Sequence, residues 1–267
     1  MAHPGPVSSD AAGAPMPHGD GRLTSVSPML GGIASSGVAS SIVGYIGHRV
    51  HVVRRREAGW LLTALGDVRG KTILDVAGGD GYWASQLAKR GAYAIGIDLA
   101  MAKLRRGRTL PDPPGLIRGD ALSMPVADAS VDAMVSMCAI EHFPDAATAF
   151  AEMARVARPG SLLTLSADTL SDEAHWPKLA DGHRRAFAVV ETFDRDKLAK
   201  LLEDAGFDVL RSEYMFKRRW AQGLYLRLHR WRYAPNALAP LGPLVALSDR
   251  RTTAPGGAIV FVQARRR

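Results

Sequence analysis

Apolar and polar positions along this chain fall into two alternating periods. Short apolar runs near 72–77, 92–97, 115–118, 131–137 and 161–167 read as buried strands, and stretches near 81–90, 101–107 and 145–157 carry the three- and four-residue spacing of helices. Strand and helix alternating at this length predict right-handed crossovers and a parallel sheet covered on both faces. The expected class is therefore α/β, doubly wound. Further on, Leu198, Leu201, Leu202 and Ala205 form the stripe of a helix that Thr192 or Asp194 can cap and Gly206 stops. Strands at Phe207–Leu210 and Ala258–Val262 follow, the second completing a seven-stranded sheet.

Two regions lie outside that alternation. Val38, Ile42, Tyr45, Ile46, Val50 and Val53 mark one face of an N-terminal helix weakened by Gly37, Gly44 and Gly47, and a second helix, Glu57 to Leu65, leads into the first strand. Residues 1–35 are expected to be a disordered arm, 36–66 the N-terminal helices, and 36–267 one domain with a lid insert at 214–255. Within the insert, Trp220, Leu224, Leu228 and Trp231 fall on one helical face and Arg218, Arg219, Arg227 and Arg230 lie away from it. Pro235, Pro240 and Pro243 then predict an extended, irregular segment. Three readings of the helix stay open: a lid packed on the core with its arginines in water, an interfacial helix on an anionic membrane or against a lipid substrate, or a nucleic-acid contact.

Composition narrows this picture without redirecting it. A chain of 267 residues, 47% hydrophobic and 22% charged, suits one substantial globular core. The single cysteine, Cys138, excludes an internal disulfide framework and a Cys-based zinc cluster, and fits a reducing cytosol. No metal is expected. The net charge of +8 is uneven: no acidic residue stands between Glu213 and Asp249, while six Lys and Arg residues do. No secretion signal or membrane-spanning run is read, so the expected location is cytoplasmic, with membrane association through 217–233 as an addition.

The chemistry concentrates in Thr72-Ile-Leu-Asp-Val-Ala-Gly-Gly-Asp-Gly-Tyr-Trp83. A strand running into glycines and then a helix is how an α/β sheet holds a nucleotide-like ligand, because glycine lets the backbone approach and the helix start offers free N–H groups. A second acid, Asp98, closes the next strand 17 positions after Gly81, about where a carboxylate binds ribose hydroxyls. The glycines do not follow the dinucleotide G-x-G-x-x-G spacing. Asp75 would repel a phosphate but can receive an ammonium, so a cationic nucleoside bearing an amino acid fits better, and S-adenosylmethionine (SAM) is that molecule.

Residues 72–81 resemble motif I of the class I SAM-dependent methyltransferases, with Asp75 in the acidic slot, Gly79 and Gly81 in two glycine slots, and Ala77 where the first glycine usually stands. Gly119-Asp120-Ala121, Val131–Ser136 with Ile140–Asp145, and Arg158-Pro159-Gly160 resemble later blocks of the same family in the same order. The resemblance implies a Rossmann-like methyltransferase fold, seven-stranded and mostly parallel, with the last strand antiparallel. It implies that Asp75 grips the methionine ammonium, that Asp98 followed by Leu99 binds the ribose, that Asp120 and Ala121 meet the adenine, and that Met137 reaches the cofactor. His142, at the mouth where acceptor and methyl meet, is the general-base candidate, with a structural or water-ordering role as the other reading. His183, Arg184 and Arg185 are placed on the acceptor side without fixed geometry.

A small-molecule methyltransferase, resembling the group that holds quinone, sterol and natural-product enzymes, is the expected function, with an apolar acceptor such as a quinone, polyketide or lipid. A nucleic-acid methyltransferase has only the basic charge in its favour, since no Asn/Asp-Pro-Pro-Tyr/Phe tetrad follows the fourth strand. An NAD-binding module is disfavoured by the glycine spacing.

Overall fold

The computed structural model describes residues 52–230 and 242–267. The expected arm, the helix face from Val38 to Val50, and Trp231, Pro235 and Pro240 lie outside the described residues.

A first helix, α1 (Val52–Ala64), precedes β1 (Thr72–Val76), α2 (Tyr82–Ala88), β2 (Tyr93–Asp98), α3 (Met101–Gly107) and β3 (Gly115–Arg118). Then come β4 (Val131–Met137), a single 3-10 turn at Ile140–His142, α4 (Ala146–Val156) and β5 (Ala157–Asp168). The chain continues through α5 (Pro177–Phe187), α6 (Arg195–Asp204), β6 (Phe207–Met215), α7 (Arg219–Arg230), α8 (Gly242–Arg250) and β7 (Ile259–Arg266). The strands form one seven-stranded sheet in the order β3-β2-β1-β4-β5-β7-β6. Pairs among β1 to β5 are parallel, while β7 runs antiparallel to both β5 and β6. The doubly wound α/β expectation holds, and so does the antiparallel final strand.

Both faces of the sheet are covered, as parallel strands require. Successive β1 residues point to opposite sides: Leu74 and Val76 join Phe150, Met153, Leu198 and Leu202 under α4 and α6. Ile73 packs the other way, with Leu61, Leu65, Leu87, Tyr225 and Val245 under α1, α2, α7 and α8. The order reverses between β1 and β4, so the C-terminal tips of these two strands open the crevice where ligands of such sheets bind.

Two boundaries differ from the sequence reading, and a third is settled between its alternatives. β6 runs on to Met215, because Tyr214 and Met215 pair with Val260 and Ile259; the segment between β6 and β7 therefore starts after Met215. Asp194, and not Thr192, caps α6, accepting from Lys197 N at 2.8 Å. Pro243, expected in irregular chain, stands in the first turn of α8, where its missing N–H breaks no helical hydrogen bond.

The apolar face expected on α7 meets the core only in part, through Leu224. Ala221, Gln222, Tyr225 and Leu226 are buried, while Trp220 keeps 49% of its surface exposed. Gly223 decides this orientation: a Cβ there would meet the Trp176 ring at 2.9 Å, so the helix lies against Trp176 on the glycine side. Arg227 stacks over that ring at 4.6 Å, and Arg219 pairs with Asp172 at 2.9 Å. Asp249 anchors the start of the segment by accepting from Phe216 N (2.9 Å) and Lys217 N (2.8 Å) while Arg56 of α1 pairs with it at 2.7 Å. Among the described residues no helix is long and apolar enough to cross a membrane.

Candidate active site

The glycine bend is shaped by what lies beneath it. Gly81 stands before α2 with φ 72°, and a Cβ there would strike Leu116 and Pro114 at 2.6 and 2.8 Å. Only glycine meets both demands. Gly78 lies directly over the Asp75 carboxylate, leaving no room for a side chain. Ala77, in the slot where the family has glycine, adopts φ 57° and so holds a left-handed conformation with a methyl group attached.

Asp75 is 2% exposed, and its Oδ2 has no hydrogen-bond partner. Burial, reinforced by the neighbouring Asp80 and Asp98 charges and opposed by the Ala84 N–H, pushes its pKa up to about 7. A buried carboxyl oxygen with nothing to bond is expensive unless a ligand completes it. Asp98, 6% exposed, is differently placed: Oδ2 accepts from Gly79 N (2.9 Å) and Oδ1 from Ala100 N (2.8 Å), with Lys103 Nζ 3.6 Å from Oδ2. Its carboxylate thus ties the glycine bend to the start of α3. Leu99, next to it, keeps 60% of its surface open, an apolar wall beside the carboxylate. Asp120 is exposed and closes its own turn through Leu122 N (2.9 Å), with Ala121 buried behind it.

The tips of β4 and β5 carry a second group of polar side chains. Met137 and Cys138 are half-buried where β4 ends, and Cys138 has φ 43°, held by its N–H bonding to Ser166 O (3.1 Å) and Oγ (3.0 Å). Glu57 of α1 is fully buried and accepts from Ser166 Oγ (2.5 Å), Cys138 Sγ (2.7 Å) and Arg54 Nη1 (3.0 Å). Asp168 ends β5 with Oδ2 against His183 Nε2 (2.6 Å) and Oδ1 accepting from the Tyr225 hydroxyl (2.7 Å). Glu141 is 1% exposed, and its Oε2 has no partner.

Electrostatics here favour protonated groups. Burial first, then the charge of Asp168, raises the Glu141 pKa well above the usual carboxyl range. Burial and the Glu57 charge push the Cys138 thiol up, and burial with Asp168 does the same to Tyr225. Burial is the largest influence on Arg54 and works against its charge, but Glu57 together with Cys138, Tyr225 and Glu141 outweighs it and keeps the guanidinium charged.

His142, the one exposed residue of the 3-10 turn, stands beyond this cluster with its Nδ1 3.4 Å from Ala188 O. Partial burial lowers its pKa, against the pull of the Ala188 carbonyl and Asp168, so the ring is neutral near pH 7 and able to accept a proton. The structure therefore brings Asp75, Gly79, Gly81 and Asp98 to one bend and Met137 and His142 to the adjoining tips. Of the acceptor-side candidates, His183 points into the buried cluster, whereas Arg184 turns to Glu173. Sequence reading missed Glu57, Glu141 as an unpartnered acid, Asp168 and Tyr225. A charged or polar residue inside an otherwise apolar run, as at Asp168 after Leu165, was the available signal.

Residues 74–165 match the methyltransferase domain family. An uncharacterized methyltransferase of Mycobacterium sp. (strain JLS) is 38% identical over 97 residues, covering 36% of this chain and 38% of that protein. A demethylmenaquinone methyltransferase of Corynebacterium kroppenstedtii is 36% identical over 96 residues, covering 36% of this chain and 41% of that one. The chain thus spans about two fifths of the curated relatives it matches. Among solved structures, a geranyl diphosphate methyltransferase in complex with GPP and sinefungin superposes with TM-score 0.60 at 18% identity, over 80% of this chain and 78% of that one. That likeness concerns the fold.

Proposed function

We propose, for a chain whose core is a methyltransferase domain of the class I SAM-dependent type, that it moves a methyl group from SAM to a small, apolar acceptor at oxygen or carbon. The observation that carries the cofactor half is the buried Asp75 Oδ2 without a partner at the strand tips, beside a bend that admits only glycine at Gly81. An ammonium is the group such an oxygen lacks. When bound, SAM supplies an electrophilic methyl on a sulfonium, so the protein needs alignment and exclusion of water more than elaborate acid–base chemistry.

The residues fit that ligand. Asp75 would hold the ammonium and Asp98 the ribose hydroxyls, with the Gly79 backbone alongside. Leu99 would stand beside the ribose with Asp98; Asp120 and Ala121 would meet the adenine, and Met137 the reacting end. His142, neutral near pH 7, would take a proton from an acceptor hydroxyl. A quinone, polyketide or lipid-like acceptor is supported by the demethylmenaquinone methyltransferase among the relatives and by the apolar surface of the α7–α8 segment, where Trp220, Leu244 and Leu247 are exposed. The same segment, through 217–233, would rest on an anionic bilayer, with Arg218 and Arg227 exposed beside Trp220. Nucleic acid is not the proposed partner.

Isothermal calorimetry with SAM, S-adenosylhomocysteine and NAD on purified chain tests the cofactor. Heat from the first two and none from NAD is expected, and silence from both adenosyl ligands sinks the proposal. Methyl transfer to a demethylmenaquinol analogue, read by mass, tests the acceptor class. Co-sedimentation with anionic and neutral liposomes tests the surface, and equal pelleting removes the membrane contact.

A further inference from the structure

The polar cluster at the tips of β4 and β5 gathers three carboxyl groups and has no assigned ligand. The donor atoms of Cys138, Glu141 and Asp168 all lie within 4.8 Å of one another. Glu141 Oε2 is buried with no partner, a state that costs about 1–3 kcal/mol unless something completes it. Three carboxyl groups (Glu57, Glu141 and Asp168) and a thiol gather here with the Arg54 guanidinium and the His183 imidazole, so the cluster is rich in groups that become anions.

We propose that Cys138 Sγ and the carboxylates of Glu141 and Asp168 form a site for a thiophilic divalent cation, with Zn²⁺ as its first choice, at the place where the acceptor would arrive. One sulfur and two oxygens suit zinc or cobalt, while a thiolate ligand disfavours Mg²⁺ and Ca²⁺. Bond lengths of about 2.0 Å to oxygen and 2.3 Å to sulfur require the three side chains to draw in by roughly 1 Å from their 4.8 Å span.

The surroundings are those of ligands already aimed. Asp168 is braced on one oxygen by His183 Nε2 (2.6 Å) and on the other by the Tyr225 hydroxyl (2.7 Å), the outer contacts that orient ligating carboxylates. Cys138 is kept in a left-handed conformation, φ 43°, that a non-glycine residue adopts only when its neighbours enforce it. The Ser166 carbonyl and hydroxyl do so by accepting its N–H, which turns Sγ toward Glu57 Oε1 at 2.7 Å. On binding, the Cys138 S–H and Glu141 O–H bonds break, sulfur–metal and oxygen–metal bonds form, and both protons pass to solvent. Three protein ligands leave a fourth position for water or an acceptor oxygen. The sequence carries no metal-ligand spacing; the site arises from convergence across residues 138–168.

The test uses the full, untagged chain, reduced and stripped with a chelator, then titrated with Co²⁺ and Zn²⁺ alone. One equivalent of Co²⁺ with a thiolate-to-cobalt absorption band, displaced by Zn²⁺ and not by equimolar Mg²⁺, is expected. Cys138→Ser should abolish the band. Glu141→Gln, which keeps the side chain's shape, should weaken Co²⁺ binding at least tenfold with SAM affinity unchanged, and it serves if the serine variant does not fold. No band in the wild-type protein, a band that persists in Cys138→Ser, or unaltered affinity in Glu141→Gln overturns the site. Because SAM binding is measured on the same samples, a chain that binds SAM and no metal loses only this inference, and one that binds metal and no SAM loses only the functional proposal.

Discussion

Around the glycine bend, Asp75, Gly79, Gly81, Asp98 and Lys103 all come from one continuous stretch, whereas the cluster at the tips of β4 and β5 assembles Glu57, Cys138, Glu141, Asp168, His183 and Tyr225 from α1 through α7. The first region works mainly through backbone: N–H groups of Gly79 and Ala100 meet one carboxylate, and glycines make the approach. The second works through side chains bonded to one another in the dry interior. A backbone site is robust to what surrounds it, because its geometry follows from a local turn. A side-chain network depends on every element that contributes, and removing one member strands the others.

That contrast predicts where substitutions hurt most. Asp168→Ala should have the largest effect on stability: it leaves the His183 Nε2 and the Tyr225 hydroxyl without their acceptor in the interior, and breaking a buried pair in this way costs about 3–5 kcal/mol. Urea unfolding reads it, and a loss below about 1 kcal/mol would mean the cluster is loosely coupled. Asp98→Ala strikes the other region. It should weaken SAM binding by about 100-fold, near 2.7 kcal/mol, while stability drops by about 1–3 kcal/mol as two backbone N–H groups lose their acceptor. Undiminished SAM affinity in calorimetry would remove Asp98 from the site.

Asp75→Asn separates stability from binding. The native pKa of about 7 lies above the ordinary 3.8, so the native state holds this proton more tightly than the unfolded chain does. The resulting stability is fully present below about pH 4 and is lost as pH rises through 7. The asparagine variant should lack that component of the pH dependence and be the more stable protein at pH 8, by about 2–4 kcal/mol, while binding SAM more weakly. Thermal melts from pH 4 to 8 check it, and parallel profiles for the two proteins would contradict the burial argument. The smallest effect belongs to Ala77→Gly. Relief of the left-handed conformation at φ 57° and the added freedom of the unfolded chain oppose each other, leaving a change within about 1 kcal/mol. A loss above that would show that the Ala77 methyl packs usefully.

The α7 segment shows why part of the molecule escaped its own pattern. Helical spacing put Trp220, Leu224, Leu228 and Trp231 on one apolar face; Leu224 does pack partly on the core, but the buried positions are Ala221, Gln222, Tyr225 and Leu226. Two groups turned the helix. Tyr225 brings a hydroxyl to Asp168, and the small Gly223 lets Trp176 approach. Neither Asp168 nor Trp176 is near α7 in sequence, so periodicity within the helix held no record of them. Strand β6 was read short for the same reason: Arg211, Ser212 and Glu213 are too polar to suggest a strand, yet their backbones pair with Gln263, Val262 and Phe261.

By itself the sequence determined the alternating architecture, the glycine bend after β1 and the acid at the end of β2, because each depends on contacts between residues close along the chain: a turn that needs glycine, a helix that needs a start, a strand that needs apolar neighbours. Only the tertiary structure decided that Asp75 is buried with an oxygen left unpartnered, that Cys138, Glu141 and Asp168 meet, and that α1, α5 and α7 supply the groups around them. The reason is desolvation and distance. Whether a carboxyl is ordinary or unusual depends on which remote elements exclude water from it, and that is fixed when the sheet's faces are covered.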